Sequence, residues 1–244
     1  MTAPVLILGA TSDMGRAIAQ RFAAQGYPIQ LAARQVSRLE RDKADLAIRY
    51  GVPVSVHEFD VLAVETHAAF IQQLPMQPAI VICVVGFMPA QKVCEQDCSL
   101  ALDVMRTNYE GPAVILSLFA NLFEQRGFGT LVGISSVAGE RGRASNYFYG
   151  SGKAGFTAFL SGLRQRLAKS GVQVLTVLPG YVNTRMTEGM KLPPLLTAEP
   201  KEVANAIFAA IEKKKDVIYV RPIWRWIMLL IRWIPEPLFK RLSL

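Results

Sequence analysis

The sequence predicts a single doubly wound α/β domain, with a seven-stranded parallel sheet and an amphipathic C-terminal helix. Short apolar runs alternate with longer amphipathic stretches, which is typical of βαβ units. A chain of 244 residues is long enough for one domain with a substantial core. The sequence shows neither an internal repeat nor a linker rich in proline, glycine and serine that would divide it.

Seven apolar runs predict the strands of this sheet, and runs without polar alternation are typical of strands buried on both faces. They cover residues 5–8, 28–33, 54–59, 79–85, 130–135, 172–178 and 217–220. The segments between them predict helices, the first over residues 16–25. Residues 186–200 carry three prolines and interrupt the alternation, which predicts a loop or lid late in the chain.

Composition limits the classes of function. The net charge is +8, and charged residues make up 19% of the chain, below the roughly 25% of an average domain. Half of the net charge falls in residues 221–244, where five basic side chains face one acidic one, and all three tryptophans lie there too. The basic residues elsewhere have no aromatic stacking surface, so nucleic acid is not an expected partner.

Cysteine and histidine usage predicts a reducing compartment and no metal site. Cys83, Cys94 and Cys98 have neither the number nor the spacing of a disulfide framework or a C-x-x-C pair. His57 and His67 are the only histidines, and no cluster of carboxylates accompanies them. The first ten residues lack a basic leader and a cleavage pattern, so we expect a cytoplasmic location.

A glycine-bearing loop follows the first strand and predicts a phosphate cradle. A tight turn needs the flexible backbone of Gly9, and close approach of a pyrophosphate needs the absent side chain of Gly15. The helix N-terminus that follows offers free N–H groups and the positive end of a dipole. The residues expected to contact the cofactor here are Gly9, Thr11, Ser12, Asp13, Met14 and Gly15. This strand–loop–helix order predicts a Rossmann-type dinucleotide site.

The ends of the second and third strands predict the adenosine contacts. Arg34 suits the 2′-phosphate of NADP(H), which we therefore favour, with NAD(H) as the alternative cofactor. The other interpretation of Arg34 is a solvated arginine at a strand end. Asp60, followed by Val61, is placed to accept a hydrogen bond from the adenine amino group, or else to cap the next helix.

The most informative residues are Ser136, Tyr149 and Lys153. Tyrosine and lysine four residues apart share one helix face. A free phenol has a pKa of about 10, and a neighbouring ammonium is expected to lower that pKa toward neutrality. Ser136 is expected to donate to a substrate oxygen. These residues predict proton transfer to a ketone that is reduced by hydride from a nicotinamide.

Together these motifs resemble the short-chain dehydrogenase/reductase family over nearly the whole chain. The thirteen-residue interval to Tyr149 selects Ser136 over Ser135 as the matching serine. The resemblance implies that Tyr149 is the acid/base and that Lys153 lowers its pKa and holds the ribose. It also implies that Ser136 positions the carbonyl and that Asn108 anchors a water relay to Lys153. Further cofactor contacts implied by the resemblance are Gly86, Pro179, Gly180, Val182 and Thr184.

Two departures from the family pattern concern the cofactor. Asp13 stands where the family has a glycine, so a carboxylate lies near the expected pyrophosphate. It is expected either to cap the first helix or to weaken cofactor binding. After the fourth strand only Gly86 remains of the family's Asn-Asn-Ala-Gly stretch, so the amide contacts of that stretch are not carried over.

The loop at 138–143 and the cationic C-terminus resemble reductases of this family that act on polyprenyl-phosphoryl 2-keto-pentoses. The resemblance implies a lipid-linked cell-envelope substrate, on the path from ribose to arabinose, and a flavin oxidase partner. Arg141 and Arg143 are expected at the active-site mouth, where they would hold a phosphate or else be solvated. The alternatives are a soluble reductase of a 3-oxoacyl or steroid-type ketone, and a catalytically silent dinucleotide sensor. The presence of all three catalytic residues disfavours the sensor.

The C-terminal segment predicts an interfacial helix over residues 222–234. On such a helix, Arg221, Arg225 and Arg232 fall in a narrow arc and apolar side chains cover the rest. The apolar run is far shorter than the ~20 residues that span a bilayer. We expect it to lie on the inner face of the cytoplasmic membrane, or else in a homo-oligomer interface. Residues 1–220 would form the NAD(P)-binding domain, and 221–244 an extension of it.

Overall fold

The computed structural model describes residues 3–242 and confirms the predicted fold class. In the described part of the chain, seven parallel strands form one sheet in the order β3-β2-β1-β4-β5-β6-β9. The strands, including two that lie outside this sheet, are β1 (Val5–Leu8), β2 (Ile29–Ala33), β3 (Val54–Glu58), β4 (Ile80–Cys83), β5 (Gly129–Ile134), β6 (Val172–Pro179), β7 (Tyr181–Val182), β8 (Thr197–Ala198) and β9 (Val217–Val220). The observed ends of the seven sheet strands lie within two residues of the predicted ones.

Helices cover both faces of the sheet. They are α1 (Asp13–Ala23), α2 (Glu40–Tyr50), α3 (His67–Gln72), α4 (Gln91–Gln96), α5 (Cys98–Met105), α6 (Gly111–Arg126), α7 (Tyr147–Leu167), α8 (Pro200–Glu212), α9 (Ile223–Trp233) and α10 (Glu236–Phe239). Side chains of α1, α2 and α8 form the core on one face, and those of α3, α6 and α7 form the core on the other.

The first strand shows why the strands of this sheet are unbroken apolar runs in the sequence. Val5 and Ile7 belong to one core, whereas Leu6 and Leu8 belong to the other. Successive side chains of a strand point to opposite faces, so a strand covered on both sides needs an apolar residue at every position. The strand order reverses at β1, which lies between β2 and β4, and the carboxyl ends of the strands there form the crevice where such sheets bind ligands.

The first helix begins three residues earlier than predicted because Ser12 caps it. The Ser12 hydroxyl accepts a hydrogen bond from the Gly15 N–H at 3.0 Å and donates one to the Gly9 carbonyl at 2.8 Å. The cap therefore binds the loop to the helix. Asp13, which we expected as a possible cap, lies in the first turn instead.

The proline-rich segment at 186–200 is mostly irregular, as predicted, but it is tied to the sheet. Its short strand β8 pairs with β7 in a small second sheet, with Tyr181 opposite Thr197 and Val182 opposite Ala198. Single helical turns over Arg185–Thr187 and Pro194–Leu196 flank this segment's loop. The segment therefore returns to the carboxyl end of β6 and lies beside the crevice.

The C-terminal helix packs through one face only. Trp224 and Met228 are buried in a small cluster with Val137 and Leu178. Over residues 3–242, no helix has the length and apolar character needed to cross a membrane. The predicted segments 1–220 and 221–244 extend into residues 1, 2, 243 and 244, which lie outside the described part.

Candidate functional site

A cavity of about 550 Å³ opens at the carboxyl ends of the central strands. Sixteen of the residues predicted from the sequence line it: Gly9, Thr11, Ser12, Asp13, Met14, Arg34, Asp60, Val61, Gly86, Ser136, Tyr149, Lys153, Pro179, Gly180, Val182 and Thr184. Arg143 also lines it, whereas Gly15, Asn108 and Arg141 do not. The fold thus brings the predicted phosphate loop and the predicted catalytic residues into one space.

The glycine loop has the shape of a phosphate cradle. Gly9 has φ of +91°, a backbone conformation that favours glycine. A Cβ on Gly15 would lie 2.7 Å from the Gly9 carbonyl oxygen. Gly15 therefore acts by allowing the helix start to pack against the loop, rather than by facing the cavity. A bare loop beside free N–H groups fits a dinucleotide pyrophosphate.

Asp13 forms an ion pair with Arg185, a contact that the sequence alone does not reveal. Its carboxylate accepts a hydrogen bond from the backbone N–H of Arg185 at 2.9 Å and another from the Arg185 Nε at 3.2 Å. The guanidinium also donates to the Thr11 carbonyl at 2.6 Å. The only sequence signal for this contact is the unusual carboxylate at position 13, and it does not reveal a partner 172 positions away.

Cationic side chains lie at the adenosine end of the cavity. Arg34 is exposed and lines the cavity, and so does Arg38, four residues later, which the sequence analysis does not identify. The Asp60 Oδ1 accepts a hydrogen bond from the Leu62 N–H at 3.0 Å, within the same turn. Asp60 also lines the cavity. Asp60 does not cap the next helical turn, whose N-cap is Ala63 without a side-chain cap, and its contact with adenine stays a prediction.

The structure distinguishes between the two neighbouring serines. The Ser135 hydroxyl donates to the Lys153 carbonyl at 2.9 Å and lies 2.6 Å from the Thr157 hydroxyl, so its partners are within the fold. The Ser136 hydroxyl accepts from the Ala138 N–H at 3.1 Å, and Ser136 lines the cavity together with Tyr149. Tyr149 lies in the first turn of α7. The pair that faces the cavity is therefore Ser136 with Tyr149.

Lys153 is held by backbone carbonyls one helical turn further along. It is 3% exposed, and its Nζ donates to the Ile134 carbonyl at 2.9 Å and to the Val85 carbonyl at 3.4 Å. Nζ lies 5.7 Å from the centre of the Tyr149 ring. Burial lowers the pKa of Lys153 to about 8.

Burial dominates the pKa of Tyr149 in this structure, and the lowering expected from Lys153 stays a prediction. Burial raises the pKa of Tyr149 to about 12, and the hydrogen bond with Ser136 offsets only part of that rise. The lysine ammonium donates to carbonyls and lies against the ring, so it does not compensate for the burial of the phenol. Tyr149 therefore carries its proton at neutral pH, which is the state required of a proton donor.

Asn108 acts on the loop after β4. It is fully buried in a π-helical turn, Arg106–Glu110, between α5 and α6. Its Nδ2 donates to the Phe87 carbonyl at 2.7 Å and to the Val104 carbonyl at 2.8 Å. A Cβ on Gly86 would lie 3.5 Å from the Asn108 Oδ1 and 3.8 Å from the Lys153 Nζ. Asn108 thus positions the part of this loop that borders Lys153.

The two loop arginines occupy different environments. Arg141 forms an ion pair with Glu236 at 2.6 Å and donates to the carbonyls of Arg232 and Ile234 at 3.3 Å. The prediction that Arg141 reaches the cavity mouth is therefore wrong. Carbonyls at the C-terminal end of a helix have no hydrogen-bond donor within the helix, and Arg141 donates to two of those at the end of α9.

Arg143 does reach the cavity. Its Nη2 lies 3.3 Å from the Met228 sulfur, and its buried Nε has no hydrogen-bond partner among residues 3–242. No acidic side chain in that range forms an ion pair with it. The buried Oδ1 of Asn146, which also lines the cavity, is likewise without a partner there. Polar groups are thus available to a ligand at this end.

The C-terminal helix forms part of the cavity wall. Trp224 lines the cavity, and its Nε1 donates to the Leu196 carbonyl at 3.0 Å. A Cβ on Gly180 would overlap the indole of Trp224, so only glycine fits there. The other apolar lining residues at this end include Phe87, Met88, Leu100, Tyr181, Met186 and Met190. In the described residues, no group of three His, Cys, Asp or Glu side chains is arranged to hold a metal.

Comparison with known proteins agrees with this geometry. Residues 3–193 match the family model for short chain dehydrogenase. The chain belongs to the short-chain dehydrogenase family. It is therefore an NAD(P)-dependent oxidoreductase.

Relatives and solved structures extend the match over almost the whole enzyme. An uncharacterized oxidoreductase of Mycobacterium tuberculosis is 34% identical over 243 residues, covering 98% of this chain and 97% of the relative. One from Streptomyces coelicolor is 35% identical over 242 residues, covering 98% and 95%. A short-chain dehydrogenase from Sphingobium yanoikuyae, solved in complex with NADPH, is 25% identical with a TM-score of 0.82, covering 96% and 97%.

Proposed function

We propose that this enzyme reduces a ketone to a secondary alcohol with NADPH. The observation that carries the proposal is the placement of Ser136 and Tyr149 in one cavity, with the buried Lys153 one helical turn after Tyr149. When bound, the cofactor supplies a hydride to the carbonyl carbon. The hydroxyls of Ser136 and Tyr149 hold the carbonyl oxygen, and Tyr149 donates its proton as charge develops there.

Lys153 completes the proton transfer. Its ammonium is fixed by the Ile134 and Val85 carbonyls, so it remains near the phenolate that Tyr149 becomes after donation. The positive charge stabilises that phenolate. Replacing Tyr149 with phenylalanine tests this mechanism directly, because it removes the proton donor and keeps the ring.

The choice of NADPH rests on the adenosine end of the cavity. Arg34 and Arg38 line it, and guanidinium groups match a 2′-phosphate. The Sphingobium yanoikuyae relative was solved in complex with NADPH, which supports the same choice. NADH is the alternative, and a comparison of the two in the Arg34→Glu variant distinguishes them.

For the substrate we propose a polyprenyl-phosphoryl pentose with a 2-keto group, produced by a flavin oxidase partner in the path from ribose to arabinose. Arg143 supports an anionic group near the ketone, because its guanidinium lines the cavity without an acidic partner in the described chain. Apolar side chains around it, including Met190 and Trp224, suit the lipid part. A 3-oxoacyl or steroid-type ketone would use the apolar wall but not the cation.

The experiment is NADPH oxidation against three substrates: membrane lipid extract preoxidised by a flavin oxidase, a 3-oxoacyl thioester and a steroid ketone. We expect turnover of the oxidised lipid, with a raised KM for it in Arg143→Gln. The matched control is Arg141→Gln, which removes an arginine from the same loop but outside the cavity. An Arg143→Gln variant with unchanged KM, or turnover of the other ketones alone, would reject the phosphoryl substrate.

We also propose that the enzyme is peripheral on an anionic membrane through α9, at the inner face of the cytoplasmic membrane. Trp226, Leu230 and Trp233 are 63, 71 and 80% exposed on one face of this helix. Arg225 is exposed beside them, and neither it nor Lys240 forms an ion pair within residues 3–242. Exposed tryptophans with unpaired cations are typical of interfacial helices.

Flotation with vesicles tests this membrane proposal. A smaller fraction of the double variant Trp226→Ser, Trp233→Ser should float with vesicles of phosphatidylglycerol and phosphatidylcholine, because the variant lacks the two exposed tryptophans of α9. The control Ile48→Ser changes a side chain that is 86% exposed on α2 and should float as the wild type does. If the double variant floats as well as the wild type but has half its mass in solution, the exposed face of α9 is a homodimer interface instead.

A further inference from the structure

An ion pair connects the two sides of the cavity at its phosphate end. On one side is the phosphate loop, residues 9–15, which carries Asp13. On the other is a segment that we call the strap, residues 184–190, which carries Arg185. The Asp13 carboxylate contacts both the backbone N–H and the Nε of Arg185, and the same guanidinium reaches the Thr11 carbonyl. Three donors of Arg185, its backbone N–H, Nε and Nη2, thus join the strap to the phosphate loop.

The strap is shaped to present Arg185. The Thr187 hydroxyl accepts from the Thr184 N–H at 3.2 Å and donates to the Val182 carbonyl at 2.7 Å. This reciprocal cap fixes the first turn of the strap and therefore the direction of the Arg185 N–H. Because Thr184 and Arg185 both line the cavity, the strap forms its wall opposite the phosphate loop.

The pair also accounts for the departure of Asp13 from the family glycine. A lone carboxylate here would repel a pyrophosphate, but the guanidinium of Arg185 at 3.2 Å compensates its charge. The carboxylate therefore does not act as an uncompensated negative charge in the cradle. It acts as the anchor for a segment on the other side of the cavity.

We propose that Asp13 and Arg185 form a clasp that holds the strap closed across the pyrophosphate of the bound dinucleotide, and that opening of this clasp limits cofactor release. The proposal rests on the proposed use of NADPH. The two side chains are 28 and 52% exposed, so water and salt reach the pair and allow it to open. Cofactor would then enter and leave by movement of the strap and not of the sheet.

The test is the dissociation rate of the reduced cofactor, measured by stopped-flow fluorescence on displacement with excess oxidised cofactor. A preceding titration shows whether the wild type binds NADPH or NADH more tightly, and the displacement uses that one. Asp13→Asn and Arg185→Gln should each raise the dissociation rate about two- to fivefold, since a partly exposed pair is worth up to about fivefold in an equilibrium constant. The double variant should dissociate no faster than the faster single variant.

A matched pair elsewhere provides the control. Arg16 and Asp42 are joined at 3.0 Å with side chains 35 and 26% exposed, and they link α1 to α2 away from the cavity. Asp42→Asn should leave the dissociation rate unchanged. Added salt should accelerate release from the wild type by a larger factor than release from the double variant, because only the former has the Asp13–Arg185 pair to screen.

Two results would overturn the clasp. The first is a dissociation rate in Asp13→Asn equal to or below that of the wild type. The second is faster release in Arg185→Gln alone, which would make Arg185 a direct phosphate ligand without a clasp. Neither result depends on the identity of the ketone, because the measurement contains no substrate. Failure of the proposed NADPH preference would show separately, in the titration.

Discussion

Replacement of Trp224 by alanine tests whether the C-terminal helix is an integral wall of the active site. Trp224 is 4% exposed, contacts Tyr181 edge-on with ring centres 5.5 Å apart, and donates to the Leu196 carbonyl. Truncation of a buried tryptophan costs about 3–5 kcal/mol, including the cavity left behind. Met228 is the only other fully buried anchor on the described part of α9.

We expect this cost to appear as local opening of α9 and not as global unfolding. The cluster around Trp224 is separate from the two cores that cover the sheet. At about 1.4 kcal/mol per tenfold, the loss corresponds to an increase of roughly two to three and a half orders of magnitude in the opening of α9. Opening of α9 also removes one wall of the cavity, so the KM for the ketone should rise.

Hydrogen exchange measured by mass spectrometry provides the assay. Peptides over 223–233 should lose protection in Trp224→Ala, whereas peptides over β1 and β4 should keep theirs. Trp226→Ala is the control, because that side chain is 63% exposed and lies outside the buried cluster around Trp224. Unchanged protection of α9, or an equal loss of protection in the central strands, would refute the reasoning.

Three further predictions follow from the site. Arg34→Glu should raise the KM for NADPH relative to NADH about tenfold or more, since hydrogen bonds to charged groups are worth about 1.5–3 kcal/mol; an unchanged ratio in steady-state kinetics would contradict it. The rate of ketone reduction should fall as pH rises through about 8, because Lys153 loses its charge there while Tyr149, with a pKa of about 12, stays protonated; a flat profile to pH 10 would contradict this. Asn108→Ala should lower kcat and destabilise the fold by about 1–3 kcal/mol, measured by urea unfolding, because it leaves the Phe87 carbonyl without its donor; an unchanged midpoint would contradict it.

The fold was predictable because burial on both sides of a parallel sheet demands apolar residues at every position. Val5 to Leu8 carry that signal without any knowledge of their neighbours. The placement of Tyr149 and Lys153 was predictable for a similar reason, since a spacing of four residues places both on one helix face. Local geometry is sufficient for both inferences.

Features that depend on distant contacts were not predictable. Arg141 and Arg143 are two residues apart and read alike, yet one caps the end of α9 and the other lines the cavity. The partner of Asp13 is known only when the strap is in place. The raised pKa of Tyr149 arises from burial, which the spacing to Lys153 does not reveal.

The most direct test of the central claim is the rate of NADPH-dependent ketone reduction by Tyr149→Phe. The variant keeps the ring but removes the hydroxyl that donates the proton. We expect the rate to fall by about two to four orders of magnitude, the contribution of a positioned general acid, while NADPH binding and the melting temperature stay the same. A variant that reduces the ketone at a rate close to that of the wild type would contradict the account.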